Sequence, residues 1–170
     1  NITLNDSAND ILIKKGRISK IEPAGSGIGW NLGGDVELMD CSGKVAIPGF
    51  MNMHTHSPMT LMRGIGEDMT FQEWISKIWQ VEERLDHDFV YWSTRLACLE
   101  MIRSGTVCFN DQYWYFADSV KAALDMGMRI ATGYDVMDKG NKAEAERQKE
   151  QCLRMSEKFL NNLDEGHIYE

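Results

Sequence analysis

The sequence predicts an α/β fold in which a short β module precedes a series of parallel β/α units. Three observations carry that reading. The first 45 residues are strand-like and interrupted by glycine turns; from Val45 onward apolar strand segments alternate with helical stripes; and the first of those segments ends in two histidines, His54 and His56, closed off by Pro58.

In the leading module, Ile2-Thr3-Leu4 reads as part of a strand. Asp10 to Lys15 and Arg17 to Ile21 flank Gly16, which is a hairpin signal. Gly25 to Gly34 holds five glycines and reads as a loop, and Val36 to Cys41 reads as a further short strand before the turn at Ser42-Gly43. Residues 1–47 are therefore expected to be part of a small β module, too short to close a sandwich alone, and residues 48–170 the β/α part.

The second part opens with the apolar run Val45 to Met51, read as the first long buried strand. After it, Leu61 to Met69 reads as a loop rich in Gly and acid. Thr70-Phe71-Gln72-Glu73 is a capping box, in which hydroxyl and carboxylate satisfy the open amides of a helix start. Phe71, Trp74, Ile75, Ile78 and Trp79 follow at helical spacing, and helix packing accounts for the aromatic members, Trp79 included. A second helix is expected from a cap at Asp86 or Asp88, with the stripe Phe89, Trp92, Leu96, Leu99 and Ile102 and a stop at Gly105. Thr106 to Phe109 reads as a strand, Phe116, Val120, Ala123 and Leu124 as a helix closed by Gly127, and Met128 to Thr132 as another strand. The last helix is expected from about Asn141, with Glu144 completing a second capping box, to Asn161-Asn162. Strand and helix alternating three times with connections of this size implies parallel βαβ units. A closed barrel of such units takes roughly 250 residues, so these would form only part of one.

With 43% apolar and 26% charged residues, the 170-residue chain has the composition of a folded protein. A net charge of −8 with no Lys/Arg cluster argues against nucleic-acid or anionic-membrane partners. Cys41, Cys98, Cys108 and Cys152 lack Cys-x-x-Cys spacing and sit mostly among apolar neighbours, as expected of reduced packing residues in a cytoplasmic protein. The chain begins with Asn1 in a strand-like segment and stops at His167-Ile168-Tyr169-Glu170, where another strand would start, so a segment of a longer protein is expected. Such a segment would leave a parallel sheet edge open and be prone to association.

In an extended chain, residues two apart share a face, so His54 and His56 point the same way. Two converging imidazoles at the end of a strand supply half of a metal coordination shell, and that strand end is where β/α folds build their sites. A packed pair would instead need two separate hydrogen-bond partners within an apolar strand end.

The run Val45-Ala46-Ile47-Pro48-Gly49-Phe50-Met51-Asn52-Met53-His54-Thr55-His56, followed by Pro58-Met59-Thr60-Leu61-Met62-Arg63-Gly64, resembles the opening of the amidohydrolase superfamily. Within it, the resemblance is to the branch holding S-adenosylhomocysteine and methylthioadenosine deaminases, guanine-type deaminases and triazine chlorohydrolases. It continues through Glu73-Trp74, Ile78-Trp79, Leu99-Glu100-Met101, Ser104-Gly105-Thr106 and Phe109-Asn110-Asp111, and includes the leader Asp10 to Ile18. The resemblance implies the N-terminal part of a metal-dependent (β/α)8 TIM barrel, preceded by part of a small β-sandwich module. It also implies one divalent metal, zinc first and iron as the alternative, with His54 and His56 as its first two ligands. The family's third histidine, its His-x-x-Glu element and its late aspartate have no counterpart here: His87, at a helix start, and His167, in a turn, match neither.

The resemblance further implies that Glu82, in Ile78-Trp79-Gln80-Val81-Glu82, holds the two ribose hydroxyls of an adenosine-type substrate, with Glu83 the alternative register and a solvated helix end the plainer reading. Tyr134 stands about where some relatives carry a substrate-binding arginine. Asn110-Asp111 reads either as pocket lining or as a capping and turn pair. Arg63 with Glu67-Asp68 is expected to stitch the entrance loop. The implied activity is hydrolytic deamination of an aminated purine nucleoside or related heterocycle. The alternatives are a chlorohydrolase or cyclic-amide hydrolase, and, from another class, an inactive fragment or non-catalytic homologue. A small-molecule substrate and a homo-oligomeric assembly are the partners the resemblance suggests.

Overall fold

The computed structural model describes residues 2–4, 7–27, 36–137 and 140–160. The expected helix stop at Asn161-Asn162, His167 and most of the Gly25 to Gly34 loop lie outside them. The chain divides into two compact units, Asn1–Pro48 and Gly49–Glu170.

The first unit is a four-stranded sheet in the order β3-β2-β1-β4, with β1 at Ile2–Leu4, β2 at Ser7–Lys14, β3 at Arg17–Pro23 and β4 at Lys44–Val45. The β2–β3 hairpin turns through two residues, Lys15 and Gly16, both at positive φ (51° and 70°). That geometry matches strand twist in a two-residue loop and explains the glycine. β1 pairs antiparallel with β2 and parallel with β4.

The strand expected over Val36 to Cys41 does not form; the pairing segment is Lys44–Val45 instead. The Asp40 carboxylate accepts from the amide of Ser42 at 2.9 Å and from its hydroxyl at 2.6 Å, folding the chain into a turn that competes with strand pairing. The same bonds hold the Asp40 carboxyl below its ordinary range. Leu38 and Met39 are exposed, so neither face of that stretch gains burial.

The second unit has a three-stranded parallel sheet, order β5-β6-β7, formed by Phe50–Thr55, Thr106–Asp111 and Arg129–Thr132. The connections carry a 3-10 helix at Ser57–Met62 and the helices α1 (Phe71–Glu82), α2 (His87–Arg103) and α3 (Phe116–Asp125); α4 (Lys142–Leu160) follows β7. Registers Thr55↔Asp111 and Asp111↔Thr132 bring the three strand ends level. Whatever those ends carry is therefore gathered at one rim.

Several expectations about the elements hold. Thr70 and Glu73 form the reciprocal capping box of α1, and Asp86 caps α2 by accepting from the Phe89 amide at 2.8 Å. Asn141 accepts from the amides of Ala143 and Glu144 at the start of α4. Phe116, Val120 and Ala123 of α3 are buried and Gly127 sits at φ 69° just beyond it. They join Cys98, Phe109, Met128 and Ile130 in one core cluster, while Met62, Ile78, Leu85, Val90 and Tyr113 form another.

Others are corrected. The loop expected from Leu61 starts later, because the 3-10 helix runs to Met62, which is buried. Strand β5 is not buried: Phe50, Met51 and Met53 are exposed, since β5 is the edge strand with β6 as its neighbour. In α2 the inward face is Val90, Ser93, Thr94, Ala97 and Cys98, whereas Trp92, Leu99 and Ile102 of the expected stripe are exposed. Small residues let α2 approach α3 and the 3-10 helix closely, a requirement that hydropathy at helical spacing does not report. In α1, Ile78 is buried but Phe71 and Trp79 are exposed. Arg63 makes a bidentate pair with Glu100 of α2 rather than with the acidic loop. No helix among the described residues is long and apolar enough to cross a membrane.

Candidate functional site

The site begins with one buried carboxylate. Asp111, at the end of β6, is 2% exposed. Its Oδ1 accepts from the Thr55 hydroxyl and from the Ser57 amide, each at 2.7 Å, and its Oδ2 accepts from the Ser57 hydroxyl at 2.7 Å. Residues on both sides of His56 are thus fastened to one side chain of the neighbouring strand. Because Ser57 gives its only hydroxyl proton to Asp111, it can only accept from Thr94, 3.1 Å away. By the same count Thr94 accepts from Ser119 at 3.3 Å. The proton order Ser119 to Thr94 to Ser57 to Asp111 is fixed, and all four residues are buried.

His56 itself is held by backbone. Its Nδ1 lies 2.7 Å from the carbonyl oxygen of Gln112, which can only accept, so the neutral ring carries its proton on Nδ1 and leaves Nε2 with a free lone pair. The His54 and His56 ring centroids are 5.1 Å apart with planes at 88°. Two imidazoles on a single tetrahedral zinc, with Zn–N about 2.0–2.1 Å, hold their centroids roughly 5 Å apart. The ring spacing of the pair matches that value, and Nδ1 of His56 is bound to a carbonyl in the way usual for metal-ligating histidines. Among the described residues no group of three or more His, Cys, Asp or Glu comes together as a metal cage, so these residues offer the two histidines.

Glu82, the last residue of α1, lines an open cleft of about 1030 Å³ together with Trp79, Tyr113, Trp114, Tyr115 and Asp135. Its Oε2 accepts from the Trp114 indole at 3.3 Å. Glu83 also lines the cleft but is exposed at the helix end. The two histidines are not part of that lining. Two residues join the regions. The Tyr113 ring, buried, lies 6.3 Å from the His56 ring, and burial first, then hydrogen bonding to Glu82, pushes its phenol well up. Asp135, half-buried after β7, is raised above the ordinary carboxylate range mainly by burial. A hydrogen bond from the Gln112 side chain and the field of His56 act the other way, and Asp111 and Glu82 add to the rise.

His87 stands apart, at the cleft rim: its Nδ1 lies 2.6 Å from Asp118 Oδ2, which raises the imidazole above its ordinary value, and its ring meets Tyr115 edge-on at 4.7 Å. Tyr134 lines the same cleft and packs on Phe116. The structure separates Asn110 from Asp111: Asn110 is exposed and donates to the Met53 carbonyl at 3.2 Å, whereas Asp111 is the buried anchor. Spacing along the chain gave no sign of that anchor, nor of Tyr113, Trp114 and Asp135 beside the two regions. The pairing Thr55↔Asp111, across 56 residues, creates it.

Residues 45–167 match the model of the amidohydrolase family. The 5′-deoxyadenosine deaminase of Methanocaldococcus jannaschii is 39% identical over 165 residues, covering 96% of this chain and 37% of the relative. The 5-methylthioadenosine/S-adenosylhomocysteine deaminase 2 of Archaeoglobus fulgidus is 42% identical over 135 residues, 79% of this chain and 32% of the relative. The chain spans about a third of the length of these curated relatives. Among solved structures, an adenosine deaminase from Xanthomonas campestris with bound zinc is 38% identical, with a TM-score of 0.52 over 54% of this chain and 21% of that one. A variant of the atrazine chlorohydrolase of Arthrobacter aurescens, complexed with zinc and atraton, shares the fold at 22% identity, with a TM-score of 0.73 over 93% of this chain and 39% of that one. By its family match and its likeness to these relatives, this chain belongs to the amidohydrolase family.

Proposed function

We propose that this chain contributes the first part of a metal-dependent aminohydrolase that deaminates a purine nucleoside of the adenosine type. Residues 48–170 form the opening β/α units of the barrel and residues 1–47 part of the accompanying β module. His54 and His56 are two ligands of a divalent metal, zinc in this reading. The observation that carries it is the pair itself: two imidazoles at ligand spacing, one of them with its outer nitrogen bound to the Gln112 carbonyl. The likeness to adenosine-analogue deaminases supplies the substrate class.

A bound divalent metal would supply Lewis-acid activation of water near neutral pH. The residues of this chain hold and orient. His56 presents Nε2 because Nδ1 is occupied. Glu82 offers the cleft a carboxylate whose Oε2 is held by the Trp114 indole, and a carboxylate can accept from both hydroxyls of a ribose diol at once. Trp79 and Trp114 line the same cleft and give it aromatic surface suited to a purine.

The test is metal analysis and nucleoside deamination with the protein encoded by the whole gene. The parent should hold stoichiometric metal and release ammonia from 5′-deoxyadenosine or methylthioadenosine, and His54→Ala and His56→Ala should lose both. Full metal content in the two alanine variants would refute the ligand assignment. Glu82→Gln should keep its metal and weaken nucleoside binding; unchanged KM would remove Glu82 from the substrate site.

A further inference from the structure

We propose that Asp111 is the positioning residue of the histidine pair, setting how tightly that pair binds a divalent metal. The inference rests on the metal reading above and adds a determinant outside the ligand set. Three donors converge on its two oxygens at 2.7 Å, and they come from Thr55 and Ser57, the residues immediately before and after His56. Through β pairing, Asp111 also stands opposite Thr55. The next residue, Gln112, donates its amide to the Thr55 carbonyl at 3.0 Å and accepts from His56 with its own carbonyl. Chain position and ring rotation of His56 are therefore both referred to the end of β6.

This anchor is itself buttressed from behind. Ser57 passes the connection to Thr94 of α2 and Ser119 of α3, each fully buried. A buried carboxylate is costly to desolvate and persists where its hydrogen bonds are complete. Here all three donors belong to residues flanking His56, so the polar bonds of Asp111 go to fixing that segment. Groups bonded directly to a metal-ligating histidine change metal affinity typically about 10–100-fold when removed; Asp111 acts one bond further out, so that range bounds its effect.

The experiment is competition for zinc between the full chain and a chromophoric chelator, with ¹⁵N-edited NMR of the metal-free imidazoles in parallel. Asp111→Asn leaves one acceptor oxygen where three donors converge. It should weaken zinc binding measurably, by at most about the 10–100-fold of a direct ligand partner, and convert His56 from a single Nδ1–H tautomer to a mixture. Should Asp111→Asn fail to fold, Thr55 decides: Thr55→Val should weaken zinc binding and broaden the tautomer signal, and Thr55→Ser, which keeps the hydroxyl, should restore both. Folded Asp111→Asn or Thr55→Val with parent affinity and an intact tautomer overturns the inference while leaving the metal reading in place, provided His56→Ala loses zinc. Unchanged zinc affinity in His56→Ala overturns the metal reading and this inference with it.

Discussion

His56 Nδ1 and the carbonyl oxygen of Gln112 lie 2.7 Å apart, joining the segment after β5 to the segment after β6. Because the acceptor is backbone, the side chain of Gln112 is free to do something else, and it hydrogen-bonds Asp135. Gln112→Ala should therefore separate two effects. The His56 tautomer and zinc affinity should stay at parent values, while the Asp135 carboxyl, having lost the bond that lowers it, should titrate higher still. Carbonyl ¹³C NMR of the metal-free protein across the acid range reads the second effect. An Asp135 titration unmoved by the substitution would show that the Gln112 side chain has no part in setting it.

Glu82 depends on Trp114 in a comparable way, since the indole donates to Oε2 at 3.3 Å. Trp114→Phe keeps the ring surface and removes the donor. Hydrogen bonds to charged groups are worth about 1.5–3 kcal/mol, but the cleft is open and water replaces part of that. The expected result is a rise of roughly 3–10-fold in nucleoside KM with kcat little changed, the pattern of lost uniform binding. A fall in kcat with KM constant would place Trp114 closer to the reacting atoms.

The one-way order of the buried hydroxyls predicts a graded series. Ser119 is the first donor of the chain, so Ser119→Ala removes one bond and leaves Thr94 still donating forward. Ser57→Ala takes a bond from Asp111 and leaves the Thr94 hydroxyl proton without its acceptor. Losing one ordinary bond costs about 0.5–1.5 kcal/mol, and leaving a buried group unsatisfied costs about 1–3 kcal/mol. Urea denaturation should rank Ser57→Ala as clearly the more damaging. Equal losses would mean that the proton order is not as the acceptor count requires.

These relationships mark where sequence reading succeeds and where it stops. Local grammar was legible: Thr70 with Glu73, Asp86 and the Lys15-Gly16 turn each act within a few residues, and each appears as expected. The His54-x-His56 spacing was equally local, and the strand brings the two ring centroids to within 5.1 Å of each other. The missing Val36 to Cys41 strand is a local failure, set by the Asp40–Ser42 turn; the others are tertiary. The inner face of α2 is built of small side chains where α3 and the 3-10 helix press against it, so Trp92, Leu99 and Ile102 misled. Asp111 read as pocket lining or as part of a capping and turn pair, and neither reading contained the three donors that the register with Thr55 gives it.

The pair formed by His87 and Asp118 predicts a pH dependence. The imidazole is raised above its ordinary value, first by the hydrogen bond to Asp118, then by its charge, with Asp86 and Asp88 adding to it. A raised folded-state value means that protonation favours the native state. The stabilisation is complete below the ordinary histidine range and is lost as pH rises through the raised value. Asp118→Asn should thus be destabilising in mildly acidic buffer and nearly neutral at alkaline pH, and the His87 Cε1–H titration should move down. Because the ring is largely exposed, the NMR shift is the sharper readout. A titration that stays in place would show that Asp86 and Asp88 carry the effect.

Gly49, immediately before β5, sits where the chain runs close against Val107 of β6. A Cβ there would lie 2.4 Å from Val107 Cγ1 and 2.7 Å from Cγ2, too close for any real contact. Valine, branched at Cβ, can rotate out of the way only at a cost. Gly49→Ala should destabilise the protein by about 1–3 kcal/mol, the usual range for overpacking, and should disturb the β5–β6 register on which Asp111 depends. Val107→Ala removes the obstructing methyls, so Gly49→Ala/Val107→Ala should recover most of the loss in stability, giving a double-mutant cycle with strong favourable coupling. Zinc affinity should follow the same pattern, falling in Gly49→Ala and returning in the double variant. Additive losses in the cycle would mean that something other than this contact fixes the spacing of the two strands.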